Sequence, residues 1–448
     1  MRHCPCEPST THLLLGASAS TSSVAEAAEL VSKALAAMMA ESGSLLSIGA
    51  ISICYVQEGR ASKNPFTLTI SAERGVIGGR SLPVDIATHL RHGAGVHQGT
   101  EHDRAAILAA YRATRRRRGM ILLGMVVLGI AAFLLDISTG PSPLRLWDVL
   151  LGLFQPDQLS APEQTIIRQV RLPYALMALL VGAALSLAGA EMQTILNNPL
   201  ASPFTLGVSS AASFGAALAI VSGISLPFVP ADWMVPLNAF VAAFASVLLL
   251  EALARSRAAG MEGVVLFGIA LVFTFNALVA LLQFVASQEA LSQLVFWTMG
   301  SLGRSTWGGL ATLAVVLAVV LPFSWRAADA MTALRLGEDR ARSFGIDVRR
   351  LRLFSLLRIS ALAATAVAFV GTIGFIGLVG PHIARMLLGE DHRFLLPASL
   401  LTGAVIMALA SVLSKVLVPG VLLPVGIVTS MIGVPVFLLL ILKKPNRA

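Results

Sequence analysis

Ten apolar stretches of membrane-spanning length fill the chain from residue 119 almost to its end. A helix needs roughly 17–25 such residues to cross about 30 Å of hydrocarbon. The pattern therefore predicts an all-α, polytopic membrane domain over residues 115–448, with both flanks of its bundle on one side. The stretch at 372–388 is the weakest, because glycines and Pro381 interrupt it. The ten predicted transmembrane helices are 119–136, 174–190, 205–223, 234–254, 264–285, 307–325, 354–371, 372–388, 394–414 and 424–442.

Composition supports a membrane domain, and the positive charges give its orientation. The chain is 56% hydrophobic and 13% charged, with a mean hydropathy of +0.79 and a net charge of +9. Cytoplasmic loops carry the excess of Lys and Arg, which predicts an inner-membrane protein with cytoplasmic termini that contacts anionic lipid. Nucleic-acid binding is not expected, because no soluble basic domain with interleaved aromatic residues is present. The cations predicted on the inner side are Arg115, Arg116, Arg117, Arg118, Arg255, Arg257, Arg326, Arg335, Arg340, Arg342, Arg349, Arg350, Arg352, Arg385, Arg393, Lys443, Lys444 and Arg447, and those on the outer side are Arg145, Arg168, Arg171, Arg304 and Lys415.

Residues 1–114 form an N-terminal extension to which the span pattern assigns no role. The pattern predicts strands at 47–56 and 67–70 and an amphipathic helix at 24–40. No apolar core follows a basic start, so a signal peptide is not expected. Three interpretations stay open for the extension: a small cytoplasmic domain, a disordered arm, or coding sequence upstream of the true start.

Metal-binding patterns in this extension are weak. A Cys-x-Cys pair lacks the other ligands of a zinc site at any usual spacing. Four histidines cluster in a stretch without clear periodicity, which favours a solvated loop over a transition-metal site. We therefore expect neither a metal nor a cofactor. The cysteines are Cys4, Cys6 and Cys54, and the histidines are His89, His92, His97 and His102.

The most informative segment joins the second and third predicted spans. Small residues fill the run from Gly182 to Gln193, and small residues let helix backbones approach closely in lipid. A polar turn bounded by prolines follows at Asn198, Pro199 and Pro203, where side chains can satisfy the freed backbone groups. From these residues alone, an ordinary helix hairpin is an equally good interpretation.

The order of motifs resembles the permease subunits of ABC importers for iron-siderophores, haem and cobalamin. Arg-Leu-Pro at 171–173, the small-residue run, Asn-Pro-Leu-Ala-Ser-Pro at 198–203 and Leu-Gly-Val-Ser-Ser at 206–210 carry this resemblance. It covers roughly residues 115–445, and it implies a homodimeric permease for a ferric siderophore or related iron chelate, with haem or cobalamin as alternatives. Further motifs in the same order are Phe-Trp-Thr-Met-Gly-Ser-Leu at 296–302, Gly-Phe-Ile-Gly-Leu-Val-Gly-Pro-His-Ile-Ala-Arg at 374–385 and Pro-Val-Gly-Ile-Val-Thr-Ser-Met-Ile-Gly-Val-Pro at 424–435.

The longest charged inner loop, residues 336–351, resembles the coupling region of that family. The resemblance implies that a short helix here seats in a groove of a separate ATPase subunit, with Ala341 and Gly345 allowing close approach. Glu338 and Arg342 are four residues apart and can pair on one helix face. A solvated basic loop is the alternative. The candidate coupling residues are Leu336, Gly337, Glu338, Ala341, Arg342 and Gly345.

Partners are implied on both faces of the membrane. The chain has no Gly-x-x-x-x-Gly-Lys-Ser/Thr phosphate loop, so we expect no enzymatic activity and an ATP-binding cassette ATPase as partner. On the outer side, Arg171 and Lys415 resemble the basic residues that meet acidic lobes of a periplasmic substrate-binding protein, where rim charges steer encounter. The alternative is that both charges only anchor helix ends. Tyr174, Ser411 and Leu422 depart from the residues common in the family.

Polar residues within the spans separate the rival classes of function. Asn276 and Gln283 are seven residues apart on one helix face, and they either line a pathway or pack in a seam. Glu191 and Glu251 are interpreted as lying near inner helix ends, in reach of headgroups or water. An ion-coupled secondary carrier would bury a carboxylate at mid-membrane, and a membrane-anchored enzyme would need a nucleophile–base pair. His382 is interpreted as a structural or interface residue rather than a haem ligand.

Overall fold

Two strands precede the helical bundle. β1, Ile48–Val56, pairs with β2, Thr67–Arg74, in antiparallel register with Ile53 opposite Ile70. Both predicted strands are confirmed, and the second is longer than predicted. The helix predicted at 24–40 lies outside the described residues. The computed structural model describes residues 48–56, 67–74, 101–140, 146–155, 159–224, 229–254 and 261–442.

The rest of the described chain is helical. A π-helical turn, Ile166–Arg171, runs directly into a long helix, and a 3₁₀ turn, Leu302–Arg304, separates two others. The α-helices are α1 Glu101–Ser138, α2 Leu146–Phe154, α3 Ala161–Thr165, α4 Leu172–Ile195, α5 Val208–Ser222, α6 Ala231–Ala254, α7 Met261–Val285, α8 Gln288–Thr298, α9 Trp307–Arg326, α10 Ala328–Leu334, α11 Glu338–Ser343, α12 Val348–Val370, α13 Ile376–Leu388, α14 His392–Val416 and α15 Val425–Leu442.

The helices confirm the predicted all-α, polytopic membrane fold. Seven are long and apolar enough to cross a membrane, and three shorter apolar helices, α5, α13 and α15, bring the set to the predicted ten. α5 has 15 residues and α13 has 13. At 1.5 Å per residue these two helices span only about 22 and 20 Å, less than the roughly 30 Å hydrocarbon core. Each is therefore too short to cross the hydrocarbon core alone.

Glycine contacts join the buried helices at the centre of the bundle. α4 is the most buried span, with 78% of its apolar window inside the protein, whereas α7 is the least, with 17%. A Cβ on Gly182 of α4 would collide with the backbone of Gly403 in α14. One on Gly189 would collide with the carbonyl of Gly377 in α13. The small-residue run therefore packs α4 backbone to backbone against two neighbours, as its composition predicts.

Two irregular segments meet between the helices. The first, residues 196–207, contains the turn of Asn198, whose side chain accepts a hydrogen bond of 2.9 Å from the backbone of Leu200. The second, residues 371–375, separates α12 from α13. The ring of Phe204 in the first lies 3.6 Å from the Cβ position of Gly374 in the second. Irregular backbone at membrane depth is tolerated only inside protein or along an aqueous cavity, so this meeting point is a candidate site.

Candidate functional site

A cavity lies where the two irregular segments meet. Its volume is about 340 Å³, within the range of sites for small organic ligands. Phe204, Ile427 and Met431 are 44%, 37% and 64% exposed, so this wall is open in a single chain. The cavity is lined by Phe204, Thr298, Met299, Thr372, Gly374, Gly426, Ile427, Ser430 and Met431.

The backbone beside the cavity is strained at Phe375. Its φ of 66° lies in the left-handed region, which is unfavourable for a bulky residue. The ring lies where a side chain on Gly433 of α15 would have to fit, because a Cβ there would collide with it. Such strain persists only where packing enforces it, and it concentrates at functional sites.

On the predicted inner side, the coupling segment consists of α10, α11 and the turn before α12. The predicted pair is present: Arg342 donates to Glu338 at 2.6 Å. Glu338 also accepts from Arg352 of α12 at 3.0 Å, and Arg352 reaches the carbonyl of Ile195 at the end of α4 at 3.3 Å. The carboxylate of Glu338 therefore connects α11 to two long helices.

The apolar side chains of the coupling segment divide into a buried and an exposed set. Ala341 is fully buried and packs in one cluster with Leu334 and Val348, so it faces this chain and not a partner. Leu336 is 55% exposed and Phe344 is 65% exposed. These two residues form an exposed apolar surface; Leu336 was among the candidate coupling residues, whereas sequence analysis missed Phe344, although it stands next to the loop glycine Gly345.

Glycines shape this segment as the sequence suggests. Gly337 has φ of 109° and Gly345 has φ of 80°, conformations that other residues rarely adopt. No heavy atom lies within 4 Å of the Cβ position at either glycine. Both positions are therefore open to approach, and the role of Gly345 in coupling stays a prediction.

The carboxylate of Glu390 links the coupling segment to α13. We call the cluster of Glu390, Arg335 and Arg385 the inner joint. Glu390, between α13 and α14, lies 3.0 Å from the guanidinium of Arg335 and 3.1 Å from that of Arg385. Arg335 follows α10 and also donates to Asn197 at 2.8 Å. Arg385 lies on α13 and donates to Gln193 of α4 at 3.1 Å.

His392 adds to the contacts of the inner joint, and a separate, exposed ion pair joins α10 to the start of α14. The buried His392 ring lies 2.7 Å from the hydroxyl of Thr194 and 3.2 Å from that of Thr332. Arg393 binds Asp329 through two nitrogens, at 2.6 and 2.9 Å. These hydrogen bonds hold the pKa of Asp329 below its usual range. His382 of α13 is part-buried and has an interaction partner. Its interpretation as a structural or interface residue stays a prediction.

The interpretation of the two intramembrane glutamates is wrong for Glu191, which lies near a helix end but not in contact with headgroups or water. Glu191 is fully buried, and its carboxylate accepts three hydrogen bonds of 2.7 to 3.1 Å from Arg358 of α12. Glu251 is 9% exposed. Glu191 therefore does not reach headgroups or water, because α4 and α12 enclose its carboxylate, whereas for Glu251, three residues from the end of α6, the interpretation stays a prediction. The signal in the sequence is Arg358 itself, since an arginine in an apolar span requires a partner.

The predicted docking residues are both buried at the end of α1. Lys415 donates to the carboxylate of Asp136 at 2.8 Å and lies over the ring of Tyr174 at 4.5 Å. Arg171 donates to the carbonyls of Ile137 and Ser138 at 3.1 and 3.0 Å. This geometry favours the anchoring alternative, while docking through these residues stays a prediction. Sequence analysis missed Asp136, although an aspartate ending an apolar span is a visible signal.

The predicted pathway pair lies on α7, the most exposed span. Asn276 is exposed and Gln283 is half-buried. Within the described residues the Asn276 amide has no hydrogen bond. A polar amide on an apolar helix would be costly against lipid, so Asn276 is better matched to a partner chain or an aqueous path. Pathway and packing both remain open.

No group of three or more candidate metal ligands occurs among the described residues. Cys4, Cys6 and three of the four clustered histidines lie outside those residues.

The chain matches the FecCD transport family over residues 126–443. It belongs to this family. The haemin transport permease HmuU of Yersinia pestis is 39% identical over 281 residues, which cover 62% of this chain and 83% of HmuU. The vitamin B12 import permease BtuC of Vibrio vulnificus is 32% identical over 337 residues, which cover 75% and 97%.

A solved structure described as a metal-chelate type ABC transporter in an inward-facing conformation has the same fold. It is 32% identical, with a TM-score of 0.64, and the likeness covers 72% of this chain and 99% of that chain. This FecCD chain is therefore a multi-pass permease subunit of an ABC importer, in the group that carries iron chelates, haem, cobalamin or molybdate. Residues 1–125 lie outside the family match.

Proposed function

We propose that this permease imports a ferric siderophore or a related iron chelate through a homodimer in the inner membrane, with cytoplasmic termini. Haem and cobalamin are the alternative cargoes. One observation carries the proposal. The inner joint connects the coupling segment directly to α4 and α13, and the irregular segments that follow α4 and precede α13 border the cavity.

ATP hydrolysis belongs to a separate ATPase subunit that seats on the coupling segment. Leu336 and Phe344 supply an exposed apolar contact, and exposed arginines around them supply charge. A complementary partner surface is an apolar groove with an acidic rim. Movement of that partner pulls on Glu338 and Glu390, and through them on α12, α13 and α4.

A second copy of the chain completes the pathway. The cavity is open on the side of Met431 and Ile427 of α15, and α7 exposes Asn276. Pairing of these faces would enclose the cavity between two chains. It would also remove the Asn276 amide from lipid, where its lack of a partner is costly.

A periplasmic substrate-binding protein delivers the chelate to the outer face. Its docking through Arg171 and Lys415 is proposed from the family resemblance alone. Helix anchoring is the rival assignment of these cations.

Reconstitution with the ATPase and binding protein tests the function. Proteoliposomes holding the complete complex should accumulate a ferric siderophore only with ATP, and the purified permease alone should show no ATP turnover. Uptake by the permease alone under an ion gradient would instead establish an ion-coupled carrier. ATP hydrolysis by the isolated chain would contradict the separate-subunit assignment.

A further inference from the structure

The turn that joins α14 to α15 presents a continuous apolar surface; we call residues 416–422 the outer turn. All seven residues are exposed, and its five valines and leucines are between 41% and 58% exposed. Single apolar residues are common on a protein surface, whereas a contiguous exposed apolar patch marks a site of contact. No residue from 416 to 442 is charged. The five apolar residues are Val416, Leu417, Val418, Val421 and Leu422.

Backbone hydrogen bonds give the outer turn a defined shape. The N–H of Leu423 donates to the carbonyl of Ser414 at 3.0 Å, which closes the turn onto the last residues of α14. Within the turn, the N–H of Val421 donates to the carbonyl of Val418 at 3.1 Å, and Gly420 has φ of 79°. A surface that is ordered before binding loses less conformational entropy when a partner covers it.

The length of α14 places the outer turn at the opposite end of the membrane from the coupling segment. α14 begins at His392, beside the inner joint, and ends at Val416. At 1.5 Å per residue its 25 residues span about 37 Å, more than the roughly 30 Å of the hydrocarbon core. The outer turn therefore lies beyond the hydrocarbon core, where its apolar side chains need a cover other than acyl chains.

The outer turn leads directly into the exposed wall of the cavity. α15 begins at Val425, and Met431 of the cavity wall lies only about 9 Å further along this helix. The N–H of Gly426 donates to the carbonyl of Gly300 at 3.1 Å, which fixes the start of α15 against the turn before α9. A protein that delivers cargo to the cavity from the outer face therefore has to sit on or beside the outer turn.

The two cations nearest to this face are held inside the chain. The side chain of Lys415, directly before the outer turn, is 5% exposed and is paired with Asp136. Arg171 is also buried, and it donates to the carbonyls of Ile137 and Ser138. What this part of the outer face presents to a partner is therefore valine and leucine rather than positive charge.

We propose that the outer turn docks an apolar patch of the periplasmic substrate-binding protein, by hydrophobic contact rather than through a charged rim. Arg171 and Lys415 then hold the turn from beneath, as helix anchors. The inference rests on the proposed function, because that function supplies the binding protein, and it assigns the surface of this chain that the binding protein covers.

Docking kinetics test the chemistry of this contact. Surface plasmon resonance measures the binding protein on the complete permease–ATPase complex in nanodiscs. Val421→Ser combined with Leu422→Ser should weaken docking about tenfold, mainly through faster dissociation, because two half-exposed aliphatic side chains lose their contact area. Wild-type affinity should change less than about twofold between about 0.05 and 0.5 M NaCl, because hydrophobic contact does not depend on screened charges.

Two control variants accompany the double variant. Leu422→Met keeps an apolar side chain in the outer turn and should dock like the wild type. Leu387→Ser changes a leucine that is exposed to the same degree near the inner end of α13, and it should also dock normally. Wild-type affinity in the double variant would overturn the inference, and so would a steep loss of wild-type affinity with added salt.

Cysteine labelling shows what covers the outer turn. The three native cysteines are replaced by serine, and Leu422→Cys is treated with a membrane-impermeant maleimide. It should react without the binding protein, and about tenfold more slowly once the binding protein is at about ten times its Kd. Arg117→Cys, exposed on α1 near the inner end of the membrane, should react at one rate throughout.

The remaining outcomes separate the inference from the proposed function. A thiol at position 422 that is already unreactive without the binding protein would show that lipid or a second copy covers the turn, which would overturn the inference. Equal reactivity with the binding protein docked would overturn it as well. If no binding protein docks to the wild-type complex or stimulates uptake, the importer function itself is contradicted.

Discussion

The buried pair of Asp136 and Lys415 decides whether Lys415 is an anchor or a docking residue. The ammonium group is 2.8 Å from both the carboxylate and the carbonyl of Asp136, and Ser411 donates to the same carboxylate oxygen at 2.5 Å. The side chains are 5% and 0% exposed. We predict that Lys415→Met destabilises the permease, because it leaves a buried carboxylate without its counter-charge.

The expected magnitude follows from that burial. Removing one partner of a buried ion pair costs about 3–5 kcal/mol, whereas replacing both partners by neutral groups is often close to neutral. Asp136→Asn combined with Lys415→Met should therefore recover most of the loss. A coupling energy of about 3 kcal/mol between the two sites would be at the upper end for residues in contact.

Thermal unfolding and binding-protein docking are measured together on the same variants. If Lys415 is an anchor, the single variant unfolds at a lower temperature, the double variant recovers, and docking of the surviving folded protein is unchanged at every salt concentration. A docking residue would give the opposite result: normal unfolding and slower association. That slowing would be greatest at low salt, where the Debye length rises to about 30 Å at 0.01 M. The second outcome would refute the anchoring argument.

Three further predictions concern coupling and packing. Gly345→Trp should lose ATPase co-purification and uptake, whereas Gly345→Ala, which carries the same backbone strain at φ of 80° but adds little bulk to the open space at this Cβ position, should keep both; unchanged co-purification by the tryptophan variant would exclude this contact. Glu390→Gln should raise the ATP hydrolysed per chelate imported, because two arginines lose their shared charge, while Asp329→Asn on the exposed pair should not. Gly189→Ala should destabilise by roughly 1–3 kcal/mol through overpacking against α13, whereas Gly124→Ala, with open space around it, should not; equal unfolding temperatures would contradict the packing argument.

The spans could be predicted because hydropathy is a local property of the sequence. The partners of the charged side chains within them could not be predicted. Each apolar stretch is constrained by the bilayer alone, so hydropathy and glycine content locate all ten helical regions and the weakness of the 372–388 span. Arg358 and Glu191 are 167 residues apart, and Lys415 and Asp136 are 279 apart. Only packing brings such groups together, so the sequence shows that a partner is needed but not which one.

The coupling segment shows the same limit at a smaller scale. Its short helix, its flanking glycines and the Glu338–Arg342 pair are local features, and the sequence predicts each of them. The burial of Ala341 depends on Leu334 and Val348, which fold back onto it from both sides. An alanine on a short exposed-looking helix gives no sign of this, so Ala341 leaves the inferred contact surface, where Phe344 joins the predicted Leu336.

The bundle contains close-packed backbone contacts in one place and side-chain contacts that can rearrange in another. This division determines which helices move together when the coupling segment moves. α4 contacts α13 and α14 through glycine backbones, and close-packed backbones cannot slide without collision. The inner joint consists of charged and polar side chains, which can exchange partners at modest cost. A pull on Arg335 through Glu390 should therefore move α4 and α13 together. A Cβ on Gly426 of α15 would likewise collide with the carbonyl of Thr372, so the wall at Met431 should move together with both irregular segments.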